Sequence, residues 1–279
     1  LRLYRKLVKR QPANTDYRNA LARLEPTSNR ALPFEKLDVD KMRKGTSIDP
    51  SASFEVLSEE VHVHVRQDGT YVRHQRRVIL VHRVPDQREA RTSFLRFDPS
   101  QEVVRVLDAR IYRDDIQIPV TAREFNQISR AWYGLYYDER ELSVPFEDLR
   151  IGDVIAISQR IDRFAKNPLP GSFDIFEVLQ DRIPKRKLLI TVTAPKKIKL
   201  RARLTVPKHI QKTVEVSEKK QTPAGAQGRD KWTLILRNIP ALPYEKNMPG
   251  TAEVGAIWQV TSFASWASLV RAYRRLIGP

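Results

Sequence analysis

The sequence contains no cysteine, only ten glycines and no long apolar run in its 279 residues. Without cysteine the chain has no disulfide bond, no cysteine–zinc site and no cysteine nucleophile. It also lacks a glycine-rich phosphate-binding loop, and no run approaches the roughly 18 apolar residues of a membrane-spanning helix. We therefore expect no cofactor, no metal site and no transmembrane segment in this chain.

The charge balance is strongly basic. The chain has 50 Lys and Arg against 33 Asp and Glu, which gives a formal net charge of +17. A surplus of this size attracts polyanions such as nucleic acids, anionic lipid headgroups and acidic wall polymers, and it does not choose among them. A hydrophobic content of 41% with 30% charged residues indicates a folded chain with a substantial core.

The first 52 residues differ in texture from the rest. Residues 1–24 predict two short helices separated by a turn at Pro12, similar to the end of a tetratricopeptide repeat. Such a remnant of a helical hairpin cannot bury its own apolar face. Residues 25–52 contain three prolines and one glycine among polar residues, and this composition predicts a linker.

Residues 53–260 predict an all-β fold. From Phe54 onward apolar and polar residues alternate on both sides of Asp68–Gly69, which indicates a β-hairpin. Further alternating segments, separated by turn residues, indicate an antiparallel β-sandwich with few helices. The further strand candidates are 91–97, 102–113, 116–121, 153–161, 186–193, 197–206, 211–217 and 231–238.

Residues 261–279 predict a C-terminal amphipathic helix. Apolar residues recur there at spacings of three and four, and Thr261 and Ser262 offer hydroxyl groups that can cap its N-terminus. A helix with Trp266 on its apolar face needs something to pack on. That partner is either the body of this domain or another domain.

Several segments in a fixed order carry a family resemblance. They are QDGTYVRHQRRVI, EVVRVLDARIYRDDIQI, PFEDLRIGDVIAISQRIDR, LPGSF, NIPALPYEKNMPG and TSFASWASLVRAYRRL. In this order the chain, over residues 54–276, resembles a bacterial β-sandwich domain of unknown function. That domain is found in exported proteins before a transglutaminase-like core, often after tetratricopeptide repeats.

The resemblance implies an accessory role rather than catalysis. A transglutaminase-like site needs a Cys–His–Asp set, and this chain has no cysteine, so no catalytic residue carries over. Residues 261–279 would then begin the transglutaminase-like core. The resemblance implies a non-catalytic scaffold or protein-interaction domain in the periplasm or cell envelope. Its partner would be another protein or an adjacent domain of the same chain.

A basic segment is the first candidate binding surface. Residues 181–220 hold thirteen Lys and Arg against three acidic residues. Four cations alternate with apolar residues there and would lie roughly 7 Å apart on one face of a strand. They are Lys197, Lys199, Arg201 and Arg203. The pattern fits either a polyanion-binding face or, as we favour, the charged face of an edge strand. No aromatic residue interleaves with these cations, so nucleic-acid binding is a weaker alternative.

An aromatic segment, SRAWYGLYYDER, is the second candidate surface. It concentrates residues with polar tips that can stack on sugar rings or contact a protein. These residues are Arg130, Trp132, Tyr133, Tyr136, Tyr137 and Arg140. Together with the basic segment they suggest an alternative function, a carbohydrate- or wall-polymer-binding module. The same aromatic residues would equally suit a loop that covers one end of the sandwich.

Three of the five histidines fall in the predicted hairpin. His62 and His64 share one face of a strand, and His74 lies across the turn from them. No carboxylate is placed beside them by the pattern, so a polar face is favoured over a metal site.

Overall fold

The alternating segments of the sequence form strands, and the all-β fold is confirmed. The computed structural model describes residues 2–11, 14, 17, 21, 34–128, 138–165, 169, 172–221, 228–242 and 245–277. The helices are α1 (Arg2–Arg10), α2 (Val39–Arg43), α3 (Thr251–Val254) and α4 (Trp266–Ile277). The strands are β1 (Phe54–Val65), β2 (Tyr71–Val81), β3 (Thr92–Phe97), β4 (Glu102–Arg113), β5 (Ile116–Pro119), β6 (Arg123–Ile128), β7 (Asp138–Pro145), β8 (Val154–Arg163), β9 (Asp174–Val178), β10 (Lys185–Pro195), β11 (Arg201–Thr205), β12 (Glu215–Gln221), β13 (Arg229–Ile239) and β14 (Ile257–Thr261).

The strands form one large sheet and two small ones. The large sheet has the strand order β12-β13-β10-β1-β2-β8-β4-β5, and the small sheets have the orders β11-β14-β9 and β3-β7-β6. Every pairing is antiparallel except that of β1 with β10, which is parallel. The predicted antiparallel sandwich therefore contains one parallel pair. Parallel neighbours need a long crossover, and β2 to β9 all lie between these two strands in sequence.

Both small sheets cover the same face of the large sheet, which we call the inner face. Val61 and Val63 of β1 pack there against Trp258 of β14 in the larger core. Val104 of β4 packs with Leu142 of β7 on the same face. The register of β1, β2 and β8 puts Val63, Arg73 and Ile161 in one cross-strand row, so their side chains lie on the same face. Val63 belongs to the larger core and Ile161 packs against Val104 and Leu142, so both cores lie on this face.

A polar seam crosses the inner face between the larger core and a further apolar cluster that contains Val144 of β7 and Ile157 of β8. In one cross-strand row Leu188 of the larger core is followed by Glu59 and Arg77, and then by Ile157. The next row places Gln75 beside Gln159, whose Nε2 donates to Gln75 Oε1 at 2.9 Å. Glu59, Arg77 and Gln75 therefore form a polar group at the middle of the inner face, although they are buried or half-buried.

Glu59 is the centre of this seam. Its carboxylate is 6% exposed and lies 2.8 Å from Lys185 Nζ, with Arg77 Nε at 3.6 Å. Burial by itself would raise the pKa of Glu59. The charges of Lys185 and Arg77, with hydrogen bonds from Lys185 and Gln75, instead lower that pKa to about 2. The carboxylate is thus ionised because β10 and β2 bring cations to it.

The turn before β8 accounts for the glycine and the aspartate of the segment LRIGDVIAIS. Gly152 has a φ of +88° and Asp148 one of +52°, and both values lie in the left-handed region that few residues adopt. The carboxylate of Asp153 is buried and accepts hydrogen bonds from Arg113 at 2.9 and 2.7 Å and from the Arg150 N–H at 2.7 Å. These hydrogen bonds fix the start of β8, so Asp153 has a structural role.

Part of the segment predicted as a linker packs on the other face of the large sheet, which we call the outer face. Asp38 accepts a hydrogen bond from the Lys41 N–H and caps α2. The apolar side chains of this segment form a small core with the strands beneath them. The cluster contains Leu37, Val39, Met42, Leu57, Val78, Leu80, Tyr112 and Val154.

Some strand boundaries differ from prediction. The segment predicted at 197–206 becomes a strand only at Arg201, because residues 196–198 form a turn and bend. The strand predicted at 211–217 lies at Glu215–Gln221. Among the helices that the structure describes, none is both long and apolar enough to cross a membrane.

Breaking the buried ion pair provides a stability test. Lys185→Met leaves the Glu59 carboxylate buried with only Arg77 nearby, so we expect a loss of about 3–5 kcal/mol in the free energy of unfolding. Urea denaturation measures this loss. Arg88→Met is the matched control, because it breaks the exposed Arg88–Glu147 pair and should cost about 0–1 kcal/mol. Equal losses in the two variants would contradict the assigned role of the seam.

The pKa of Glu59 gives a second, independent test. Its folded value of about 2 lies below the ordinary 4.5, so its contribution is fully present above pH 4.5 and is lost as the pH falls toward 2. We expect Glu59→Gln to be less stable than the native chain at pH 7 and to lose less further stability between pH 4.5 and 2. Parallel stability–pH curves for the two proteins would show that Glu59 does not titrate in this way.

Candidate interaction surfaces

The four predicted cations of the basic segment are all exposed, while Ile198 and Leu200 between them are buried. Lys197 and Lys199 precede β11, and Arg201 and Arg203 lie on it, at the edge of the small sheet β11-β14-β9. The four charges therefore follow the edge of this sheet, but they do not form a single strand row.

Two of these cations bind other parts of the chain. Lys197 Nζ donates to Gln67 Oε1 at 3.0 Å, and Arg201 Nη1 donates to the Ala264 carbonyl at 2.8 Å. Arg201 thereby connects the edge strand to the segment that leads into α4. This arrangement suits the charged face of an edge strand at least as well as a surface dedicated to polyanions.

The aromatic segment mostly lies outside the described residues. This applies to Arg130, Trp132, Tyr133, Tyr136 and Tyr137, and the prediction for them stays a prediction. Arg140 is described. It lies on β7, half-buried, and pairs with Phe97 of β3 and Asn126 of β6.

The hairpin histidines share the outer face as expected. His62 of β1 lies directly across from His74 of β2, and His64 Nδ1 lies 3.2 Å from Thr193 Oγ1. Within the described ranges no three His, Asp or Glu side chains are grouped so that they could hold a metal ion. His82, which the sequence did not single out, is 3% exposed and lies 3.3 Å from Glu55.

An open cavity of about 800 Å³ lies beside α2 on the outer face. Residues 35–42 form one wall, and the outer face with the β4–β5 turn forms the other. Its rim has mixed charge, with Asp114 and Asp115 near Lys187 and Lys41. No sequence pattern predicts this cavity, because its walls are far apart along the chain.

Helix α4 presents an unpartnered apolar face. Trp266 is 82% exposed, Tyr273 55%, Leu276 52% and Val270 45%. These residues are spaced by three or four, so they lie on one side of the helix. Apart from single scattered side chains, this is the most exposed apolar group among the residues that the structure describes.

The base of α4 is attached to the sandwich by hydrogen bonds. The Ser262 N–H donates to the Phe173 carbonyl at 2.8 Å, and the Phe173 N–H donates to Ser262 Oγ at 2.9 Å. Ser265, rather than Thr261 or Ser262, caps the helix, because its Oγ accepts from the Ser268 N–H at 3.2 Å. The predicted cap residues thus belong to the junction, and the helix begins at Trp266.

A family match covers most of the sandwich. Residues 67–243, more than half of the chain, match DUF3857, described as a domain of unknown function with a solved structure. The chain belongs to the DUF3857 family. No curated protein matches this member.

One solved structure shares its fold, and others give weaker matches. The crystal structure of a candidate protease from Parabacteroides distasonis superposes with a TM-score of 0.64 at 17% identity, covering 80% of this chain and 43% of that chain. An M1 zinc metallopeptidase from Deinococcus radiodurans gives a TM-score of 0.38 at 14% identity, covering 74% and 42%. The DUF3857 chain spans less than half the length of either protein. At these identities the first comparison shows the fold alone.

The basic segment allows a matched charge test. We expect the double variant Lys199→Gln, Arg203→Gln to elute from heparin at a lower salt concentration than the native protein. The double variant Lys208→Gln, Lys212→Gln should shift by the same amount, because it also removes two exposed charges from a strongly basic surface. A shift several-fold larger for the first variant would instead indicate a dedicated polyanion site along residues 197–203.

Proposed function

We propose that this DUF3857 chain is a non-catalytic scaffold that positions a neighbouring domain or a protein partner in a bacterial cell-envelope protein. The neighbour we propose is a transglutaminase-like domain, and the location we propose is the periplasm or envelope. Both parts come from the ordered segments that resemble such architectures. The observation that carries the scaffold role is the exposed apolar face of α4.

The exposure of this face favours a covering partner. Burying a side chain of the size of Leu or Val contributes about 1.5–3 kcal/mol. The apolar face of α4 holds four such side chains, Trp266, Val270, Tyr273 and Leu276. While they are exposed to water, the chain does not gain the several kcal/mol of stabilisation that burying them would contribute. Large aromatic residues in such a group are typical of contact surfaces between proteins or domains.

The attachment of α4 suits a positioning role. The helix follows β14, which is the central strand of its small sheet, and Trp258 on that strand is fully buried. Hydrogen bonds of Ser262 with Phe173, and of Arg201 with the Ala264 carbonyl, fasten the junction. A partner that packs on α4 would thus be held in a fixed orientation relative to the sandwich.

The buried carboxylates support a non-catalytic reading. Glu59 lies against Lys185, Glu60 against Arg76 at 2.7 Å, and Asp153 against Arg113 at 2.7 Å. General acid or base catalysis needs a carboxyl group that is free to exchange a proton with a substrate. Their pairing with cations supports a structural role for these three carboxylates.

The test compares Trp266 in this chain and in the complete gene product. Because the chain has four tryptophans, the measurement uses a background with Trp132→Phe and Trp232→Phe. In this background, for the chain alone, we expect Trp266→Phe to remove most of the tryptophan emission that acrylamide quenches readily, because the remaining Trp258 is fully buried. In the complete gene product we expect Trp266 to be protected from acrylamide several-fold better. Equal quenching of Trp266 in both proteins would contradict the scaffold proposal.

Variants on α4 separate docking from helix stability. We expect Trp266→Ala with Leu276→Ala to increase protease cleavage after residue 277 in the complete gene product, because the partner no longer packs on the helix. Arg275→Ala is the control, since Arg275 is exposed on the opposite side of α4. Cleavage that rises equally in both variants would point to loss of the helix itself.

A further inference from the structure

The cavity beside α2 is a second surface, separate from the apolar face of α4. It lies between residues 35–42 on one side and the outer face with the β4–β5 turn on the other. Its volume of about 800 Å³ falls in the range of pockets that hold a ligand. None of the contacts that support the scaffold role involves this cavity, so its chemistry is considered by itself.

The cavity has an apolar floor and one exposed apolar side chain. Leu57 of β1 is buried and Tyr112 of β4 is half-buried, and both pack in the cluster that Leu37 and Met42 join from the α2 side. Ile116 of β5 also lines the cavity and is 62% exposed. An aliphatic group bound there would contact apolar side chains and shield Ile116 from water, which is favourable.

Carboxylates outnumber cations around the cavity. Six acidic and three basic residues line it, although the whole chain has 50 Lys and Arg against 33 Asp and Glu. The acidic residues are Glu35, Asp38, Asp40, Glu60, Asp114 and Asp115, and the basic ones are Lys36, Lys41 and Lys187. The cavity is therefore a net negative site on a strongly positive protein, and its charge complements a cationic ligand.

Four of the six carboxylates are available to such a ligand. Glu60 is bound by Arg76, and Asp38 accepts a hydrogen bond from the Lys41 N–H. The remaining four side chains are exposed, and within the part of the chain that the structure describes their carboxylates form no hydrogen bond or ion pair. They are Glu35, Asp40, Asp114 and Asp115. Other exposed carboxylates of this chain do pair with arginine, as in the Arg88–Glu147 ion pair.

The β4–β5 turn places two of these carboxylates beside a sheet edge. Asp114 and Asp115 form the turn, and the neighbouring Arg113 is bound to Asp153 instead. Strand β5 is the last strand of the large sheet, so among the described strands it has a neighbour on one side alone. The free edge of such a strand offers backbone groups to an extended chain. This edge favours a peptide over a small cation as the ligand.

We propose that this cavity binds an extended basic segment of a partner protein. Its Lys or Arg side chains lie at Asp114 and Asp115, and an apolar side chain of the segment packs on Ile116 and Tyr112. Because three lysines also line the cavity, a segment that combines cations with apolar residues fits better than one that is basic throughout. This site does not depend on α4 or on the partner proposed for it.

Fluorescence anisotropy with labelled hexapeptides tests the proposal. The probe is Lys-Lys-Leu-Ala-Leu-Ala with both ends blocked, and the comparison peptide has Gln in place of both Lys residues. At low salt we expect the native chain to bind the Lys peptide about tenfold more tightly, because two partly exposed ion pairs together contribute an effect of this order. The net charge of +17 repels a cationic peptide elsewhere on the surface, so this preference requires a local acidic site.

Two substitutions at the turn assign the binding to the cavity. The double variant Asp114→Asn, Asp115→Asn keeps the shape of both side chains, and Asn tolerates the φ of +50° at Asp114. We expect it to bind the Lys peptide about tenfold more weakly than the native chain and to unfold at the same urea concentration. Asp86→Asn is the control, since Asp86 is an exposed carboxylate that does not line the cavity.

Two further variants test the apolar contact and the independence from α4. Ile116→Ser should weaken binding of the Lys peptide several-fold without unfolding the chain, because Ile116 is mostly exposed. Trp266→Ala should leave the affinity unchanged, because α4 does not line the cavity. The outcome for Trp266→Ala separates a failure of this site from a failure of the scaffold role of α4.

Four results would overturn the proposal. The first is no saturable binding of the Lys peptide to the native chain. The second is equal affinity of the native chain and the Asp114→Asn, Asp115→Asn variant, which would place the peptide elsewhere. The third is loss of binding in Trp266→Ala. The fourth is displacement of the Lys peptide by spermidine as readily as by unlabelled peptide, which would indicate a site for simple cations.

Discussion

The ion pair between Glu59 and Lys185 fixes the register on which the sandwich depends. Glu59 lies on the inner face between two apolar cores, where only the cations on β10 and β2 can neutralise it. A shift of β1 by one residue would turn Glu59 to the outer face and move Val61 and Val63 out of the core. A buried carboxylate without its cations is strongly unfavourable, so the seam permits one alignment of three strands. The parallel contact of β1 with β10, which no hairpin enforces, depends on this constraint most.

A sheet fixed in this way can carry two appended segments of different chemistry. Helix α4 extends from the central strand of a small sheet and presents Trp266 and Tyr273 to solvent. Residues 34–49 lie on the outer face and are held there by the Phe34 ring, a small apolar cluster and a hydrogen bond from the Asp49 N–H to His82. The first segment offers an exposed apolar surface, and the second covers part of the sheet. The sandwich between them is therefore a frame, which agrees with a scaffold role for this DUF3857 chain.

Local patterns in the sequence predicted the parts of the fold that local physics determines. The hairpin at Asp68–Gly69, its long alternating strands and the amphipathic α4 all follow from periodicity and turn chemistry. The meeting of Glu59 with Lys185 has no local signal, since it requires a parallel pairing across eight strands of intervening chain. Residues 34–49 have the composition of a linker, because a polar neighbourhood surrounds the three apolar residues that pack against β1 and β2. The sequence pattern does not predict the exposure of Trp266 either, because amphipathicity predicts a packing face and not whether another element covers that face.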